Sequence, residues 1–202
     1  MNAPRQRILV PVAEIPSPEV GLFLAQMDDQ SRRLTEDSRG ASVSELAWQP
    51  RPGTNTIGML MAHNAIVELF WISHAAMVPC DCPAVLGIGE DDDGMPIPEE
   101  GLSPATLAGK DLAFFDDLRA RARAFTYGWA KRWTAVDLDR TIQRPRKDGM
   151  WTMNVRWILY HVLEHEAGHY GQVNLLRHLY RATPVGAGTT RAANLGAHGT
   201  RA

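Results

Sequence analysis

The sequence predicts an all-α protein built as a four-helix bundle, with a long loop between the second and third helices. Three observations predict this class. Apolar residues recur at helical spacing in four long segments, prolines and glycines separate these segments, and the 202 residues contain no convincing pair of alternating strand segments. The hydrophobic share of 45% is large enough for the chain to bury a core.

Helix-breaking residues bound the first two helices. A period near 3.6 in the apolar positions predicts the first helix over residues 18–38, with Gly40 as its stop signal. Prolines and a glycine in residues 43–53 exclude a continuous helix there. The second helix is predicted from a cap at Thr54 or Asn55 to about residue 78.

A long acidic loop separates the second helix from the third. Residues 79–101 carry four consecutive acidic side chains at 90–93, and structureless loops of this length are usually lids or disordered segments. Ser103 then matches a helix cap and Pro104 the first helical position. This pair predicts a third helix that runs from there to about Trp133.

The fourth helix follows a polar stretch. Residues 137–151 contain the turn signal Arg-Pro-Arg-Lys-Asp-Gly and allow a short hairpin. The helix is predicted from Thr152 or Asn154 to about Arg181. Residues 183–202 are rich in Gly, Ala, Thr and Asn, so we expect one domain over residues 1–182 and a disordered tail over 183–202.

Composition and charge exclude several functions. The net charge is −2, and no basic face suited to nucleic acid is visible. No apolar stretch approaches the ~20 residues that span a bilayer, and the N-terminus does not resemble a signal peptide. Cys80 and Cys82 are interpreted as reduced thiols in a loop. We therefore expect a cytoplasmic protein that binds neither nucleic acid nor a membrane.

Three histidines recur at four-residue steps on the fourth helix: His161, His165 and His169. Residues four apart lie on one helix face about 6 Å apart along the axis, so two neighbouring imidazoles can converge on one ion. The outer pair is separated by roughly 12 Å, which is too far for all three. The same face carries apolar residues, so we expect the imidazoles to point into the bundle, where a metal would satisfy them.

The pair His165 and His169 predicts one divalent metal ion whose third ligand comes from another helix. His63 is the candidate, because it lies one turn into the second helix on its apolar stripe. His74 shares that stripe but lies about 16 Å away, too far to share the ion. Three histidines leave an open position, whereas structural zinc sites usually have four protein ligands. Zinc or nickel is expected, and iron or manganese is also compatible.

Polar residues near the predicted ligands are candidates to orient an imidazole or line the pocket. These candidates are Gln172, His161, Glu68 and Glu166. Gln172 lies on the histidine stripe and either bonds near the metal or is a satisfied core glutamine. Glu68 and Glu166 lie off the stripe, so both an orienting role and an exposed structural role are compatible with their positions.

Two blocks of sequence resemble the DinB/YfiT-like metalloenzyme superfamily. The first is LAWQPRPGTNTIGMLMAH over residues 46–63, and the second is WTMNVRWILYHVLEHEAGHYGQ over residues 151–172. The resemblance implies a four-helix bundle, often a homodimer, with His63, His165 and His169 as the metal ligands. The position of His161 is not a ligand in the family. This chain also departs from the family, which commonly has arginine at the position of Tyr170.

The resemblance implies a metal-dependent enzyme that activates a thiol or water. Similar proteins include thiol-dependent transferases that use mycothiol or bacillithiol, maleylpyruvate isomerase, and proteins regarded as hydrolases. The expected partner is thus a small-molecule substrate, together with a low-molecular-weight thiol in the transferase case. Arg144, Arg146 and Lys147 either hold the carboxylates of such a thiol or form a solvated turn, and we favour the turn.

Two further hypotheses stay open beside the enzyme. In the first, the metal fixes a non-catalytic binding or interaction module, and chelation would unfold it. In the second, a metal-free helical dimerisation domain packs the histidines in its core. Metal analysis and circular dichroism after chelation discriminate among the three.

Overall fold

The structure is a computed structural model that describes residues 8–186. Within these residues the chain forms seven α-helices, one 3-10 helix and one two-stranded sheet. The helices are α1 (Pro18–Ser38), α2 (Val43–Leu46), α3 (Ile57–Ala76), α4 (Cys82–Leu86), α5 (Leu112–Ala130), α6 (Ala135–Asp139) and α7 (Val155–Arg181), and the strands are β1 (Thr141–Arg146) and β2 (Gly149–Asn154). The protein is predominantly helical, as predicted, although the small sheet departs from a purely α class. Most of the segment expected to be disordered, residues 187–202, lies outside the described part.

Side-chain caps set the starts of the long helices. The bounds predicted for α1 are confirmed. The second long helix, α3, begins slightly later than predicted, because Thr56 Oγ1 accepts a hydrogen bond from the Met59 amide at 3.1 Å. The predicted cap at Asn154 is confirmed for α7, where its Oδ1 accepts from the Trp157 amide at 2.8 Å.

The predicted start of the third long helix was wrong. After Pro104 the chain makes only a one-turn 3-10 helix, Ala105–Leu107. Gly109 then takes a left-handed conformation with φ +72°, which a continuous α-helix does not allow. Asp111 caps the helix that follows, since its Oδ1 accepts from the Phe114 amide at 3.0 Å. The Ser-Pro signal therefore marked a single turn rather than the start of α5.

The helix α3 lies at the centre of the molecule and contacts both α5 and α7, while α1 contacts α7 and α5. Fifteen of its twenty residues are buried, so α3 has almost no solvent face. It approaches α5 closely at Gly58, where an added Cβ atom would lie 2.7 Å from Cζ of Phe115. None of the helices in residues 8–186 is long and apolar enough to cross a bilayer.

Two connections between the long helices bear on the site. The predicted hairpin is confirmed: β1 and β2 pair antiparallel, with Arg146 opposite Gly149. The acidic loop is more ordered than expected, because it contains the short helix α4 and is held at its far end. There Gly101 O accepts hydrogen bonds from the Gly53 amide and from Gln49 Nε2, both at 2.9 Å.

Candidate metal centre

The structure brings the three predicted ligands together where α3 and α7 meet. The nitrogen atoms that His63, His165 and His169 can offer to an ion all lie within 4.8 Å of one another. The ring centroid of His63 lies 5.0 Å from that of His165 and 5.2 Å from that of His169. The imidazoles are partly buried at the edge of the helical core rather than deep inside it. This cluster could hold one metal ion.

Two of the imidazoles are oriented by hydrogen bonds at Nδ1. His63 Nδ1 lies 2.7 Å from Asp93 Oδ2, and His169 Nδ1 lies 2.9 Å from Gln172 Oε1. Both partners are acceptors, so each Nδ1 carries the proton and donates it. The Nε2 atom of each ring is then left with a free lone pair, as metal ligation requires.

The remaining geometry fits a divalent ion. The Nε2 atoms of His165 and His169 are 3.2 Å apart. Two nitrogens that each bind a tetrahedral zinc ion at ~2.0–2.1 Å would be separated by about 3.3 Å. Burial and the neighbouring imidazoles lower the pKa of His165 to about 3, and burial also lowers the pKa of His169. Both rings are therefore neutral at pH 7, the form that coordinates metal.

Asp93 is the site residue that the sequence analysis missed. Its side chain is only 2% exposed, and its Oδ1 accepts a hydrogen bond from the Met95 amide at 2.9 Å. This bond fixes the carboxylate so that the other oxygen faces His63 Nδ1. The one signal available in the sequence was the acidic run at residues 90–93, which was interpreted only as the centre of a loop.

The two glutamates weighed as orienting groups bond to Arg123, and among the described residues neither bonds to an imidazole. Arg123 Nε donates to Glu68 Oε1 at 2.8 Å, and its Nη2 donates to Glu166 Oε2 at 3.4 Å. Thr126 Oγ1 also donates to Glu68, at 2.6 Å, and Ser31 Oγ donates to Glu166, at 2.7 Å. A buried ionic network thus lies behind His165.

His161 lies beside the three ligands without joining them. Its ring stacks on Trp157, with centroids 4.8 Å apart and planes 7° apart, and lies 5.0 Å from the ring of Trp71. The ring of His165 is 5.9 Å away. His74 is also separate, as predicted, because its Nδ1 lies 3.0 Å from the Phe70 carbonyl oxygen.

The helical fold and the three-histidine cluster together define a protein of the DinB/YfiT-like class. Within that class the chain belongs to the mycothiol-S-transferase family, whose sequence profile matches residues 22–182. A search of curated proteins found no match. Among solved structures, the chain is similar to a conserved protein from Enterococcus faecalis, with 18% sequence identity and a TM-score of 0.59. That likeness covers 78% of this chain and 94% of the other, and at this identity it supports the fold alone.

Proposed function

We propose that this protein is a metal-dependent thiol S-transferase built on a four-helix-bundle scaffold. His63, His165 and His169 hold one divalent ion, with zinc or nickel as the expected metal. The observation that carries the proposal is the convergence of three nitrogens from two helices within 4.8 Å, in a chain that belongs to the mycothiol-S-transferase family.

The residues of the site fit this role in three ways. Asp93 and Gln172 hold His63 and His169 with Nε2 free, and His165 stays neutral because burial lowers its pKa. Three protein ligands leave one side free for a substrate, as in catalytic rather than structural zinc sites. When bound, a divalent metal lowers the pKa of a thiol and so supplies a thiolate for attack on an electrophile.

The decisive experiment compares two histidine variants of the same helix. His165→Ala removes a proposed ligand, whereas His178→Ala changes an exposed histidine about three and a half turns further along α7. The wild type and His178→Ala should each contain about one divalent ion per chain and transfer a thiol to an electrophilic acceptor. His165→Ala should lose both the ion and the activity. The assay should test mycothiol, bacillithiol, glutathione and cysteine in turn.

Controls in the same assay separate the alternatives. Turnover of the acceptor without any thiol would favour a hydrolase, in which water takes the place of the thiol. Circular dichroism after chelation should show a helical protein without activity, whereas unfolding would favour a structural metal. Purified protein without bound divalent metal, or thiol transfer that His165→Ala retains, would refute the proposal.

A further inference from the structure

Arg144, on strand β1, lies over aromatic rings and has no acidic partner among residues 8–186. Its guanidinium carbon is 4.5 Å from the ring centroid of Phe70 and 5.5 Å from that of Trp71. The side chain is half-buried, and it forms no hydrogen bond or ion pair with any described residue. The hydrogen-bond donors of its flat guanidinium group therefore remain available to solvent or to a ligand.

Three other arginines inside the described part of the protein pair with carboxylates, whereas the partly buried Arg140 donates only to the Ala75 carbonyl oxygen. Arg177 Nε donates to Glu45 at 2.7 Å, Arg123 bonds to Glu68, and Arg119 bonds to Asp116. Arg144 differs, since burial and the charge of Arg146 lower its pKa, and only Glu90 acts on it from a distance in the opposite direction. A guanidinium that has no carboxylate partner in the described chain can bind the carboxylate of a ligand.

A series of neighbouring aromatic rings connects Arg144 with the histidine cluster. Arg144 lies over Trp71, the ring of Trp71 is 5.0 Å from that of His161, and the ring of His161 is 5.9 Å from that of His165. Three successive contacts, each under 6 Å, therefore lead from the guanidinium to a proposed ligand. Trp71 itself is only 5% exposed, so the wall that a ligand can reach is formed by the partly buried rings of His161 and Trp157. This wall suits an apolar or planar molecule.

The wall continues into a cavity on the hairpin side. Trp157, which stacks on His161, also lines a cavity of about 210 Å³ together with Trp151, Thr152 and Met153. The guanidinium of Arg146 lies over Trp151 at 5.1 Å, so this end of the surface also carries a positive charge. The aromatic surface is thus flanked by two arginines that make no ion pair with any residue of 8–186.

We infer that Arg144 anchors a carboxylate of the electrophilic substrate, whose apolar part lies along the wall formed by His161 and Trp157. A guanidinium binds a carboxylate through two parallel hydrogen bonds, which fixes the orientation of the ligand as well as its position. The anchored end would then lie at the hairpin, and the opposite end of the molecule would reach the histidine cluster. This inference rests on the proposed function for the identity of the reacting group.

A binding experiment without turnover tests the anchor. Phenylacetate and phenylacetamide differ only in the charged group, and tryptophan fluorescence should report their binding because three tryptophans lie on or beside the wall. The metal-loaded protein should bind the carboxylate at least about tenfold more tightly than the amide. Arg144→Gln should remove that preference and leave the affinity for the amide unchanged, while Arg144→Lys should retain part of it.

Lys147→Gln is the matched control, because it removes one positive charge from the same hairpin at an exposed position. It should behave as the wild type. Equal binding of the carboxylate and the amide, no saturable binding of the carboxylate, or equal losses in Arg144→Gln and Lys147→Gln would each overturn the anchor. Thiol transfer that fails while the carboxylate preference persists would refute the proposed reaction alone. Transfer that persists without the preference would refute the anchor alone.

Discussion

Two consecutive residues of α7 contact very different polar surroundings. Glu166 belongs to a closed network, in which its carboxylate accepts hydrogen bonds from Ser31 and Arg123. His165 belongs to an open cluster, in which nitrogen atoms of three imidazoles lie within 4.8 Å of one another. Polar groups that have hydrogen-bond partners within the protein stabilise the fold. Polar groups at its edge that lack such partners can bind a ligand.

The ionic network around Arg123 also joins the helices that carry the histidine cluster. Arg123 on α5 bonds to Asp28 of α1 at 2.7 Å, to Glu68 of α3 at 2.8 Å and to Glu166 of α7 at 3.4 Å. All four long helices therefore meet at one guanidinium. Since His63 lies on α3 and the other two ligands on α7, the same contacts join the two helices that would hold the ion.

Arg123→Leu should produce the largest change in stability. It leaves Glu68 and Glu166 buried without their cation, and removal of one partner from a buried ion pair costs roughly 3–5 kcal/mol. Chemical denaturation should show this loss in the free energy of unfolding. The substitution Arg144→Gln, which removes only cation–π contacts with Phe70 and Trp71, should lower the free energy of unfolding by about 1 kcal/mol.

Equal free energies of unfolding for Arg123→Leu and Arg144→Gln would contradict the proposed difference between the two sites. Arg32→Leu provides a second reference, because Arg32 is 48% exposed and pairs only with neighbours on its own helix. Loss of such a surface pair should leave the free energy of unfolding nearly unchanged. A loss in Arg123→Leu that is no larger than in Arg32→Leu would mean that the network does not hold the helices.

Asp93→Asn should weaken metal binding rather than the fold. The carboxylate accepts from two donors, His63 Nδ1 and the Met95 amide, and an asparagine side chain has only one acceptor oxygen for both. If its amide nitrogen faces His63, the imidazole proton moves to Nε2 and blocks the ligand atom. Loss of such an orienting partner typically lowers metal affinity 10–100-fold.

A competition titration against a chelator measures this effect. Asp91→Asn removes the same charge from an exposed position of the same loop and should leave the affinity unchanged. Equal affinities for the Asp93 and Asp91 variants would show that the hydrogen bond to His63 does not orient the ligand.

The parts of the protein that sequence analysis predicted depend on local patterns. The bounds of α1 and α7 follow from helical periodicity and capping residues, and the pairing of His165 with His169 follows from one turn of helix. The prediction of His63 as the third ligand depended only on the expectation that its face of α3 contacts α7. These features depend on residues that are close in sequence or on a single apolar stripe.

The missed features depend on contacts between distant residues. Asp93 reaches His63 across 30 residues of chain, and only the folded path of the acidic loop shows which carboxylate of the run at 90–93 does so. Glu68 and Glu166 were considered as groups that orient an imidazole, but their partner Arg123 lies 55 and 43 residues away from them in sequence. Their partner could be assigned only once the rotation of α5 about its axis was known.

The thiols of Cys80 and Cys82 should react slowly in the folded protein. This is the smallest effect that we predict. Cys82 is 2% exposed, and its Sγ lies 3.6 Å from that of Cys80. Burial raises the pKa of both thiols, that of Cys82 to about 12. At pH 8 roughly one part in ten thousand of Cys82 would then be thiolate, the reactive form.

Reaction with a disulfide reagent measures this difference. Native protein should react slowly at pH 8, and the rate should rise up to about tenfold per pH unit because the pH stays below both pKa values. Both thiols should react quickly in denaturant. Native thiols that react as fast as free cysteine would contradict the prediction and make them candidate nucleophiles. If they are as unreactive as expected, the sulfur of the proposed transfer has to come from the thiol substrate, and Cys80→Ser should leave the transfer rate unchanged.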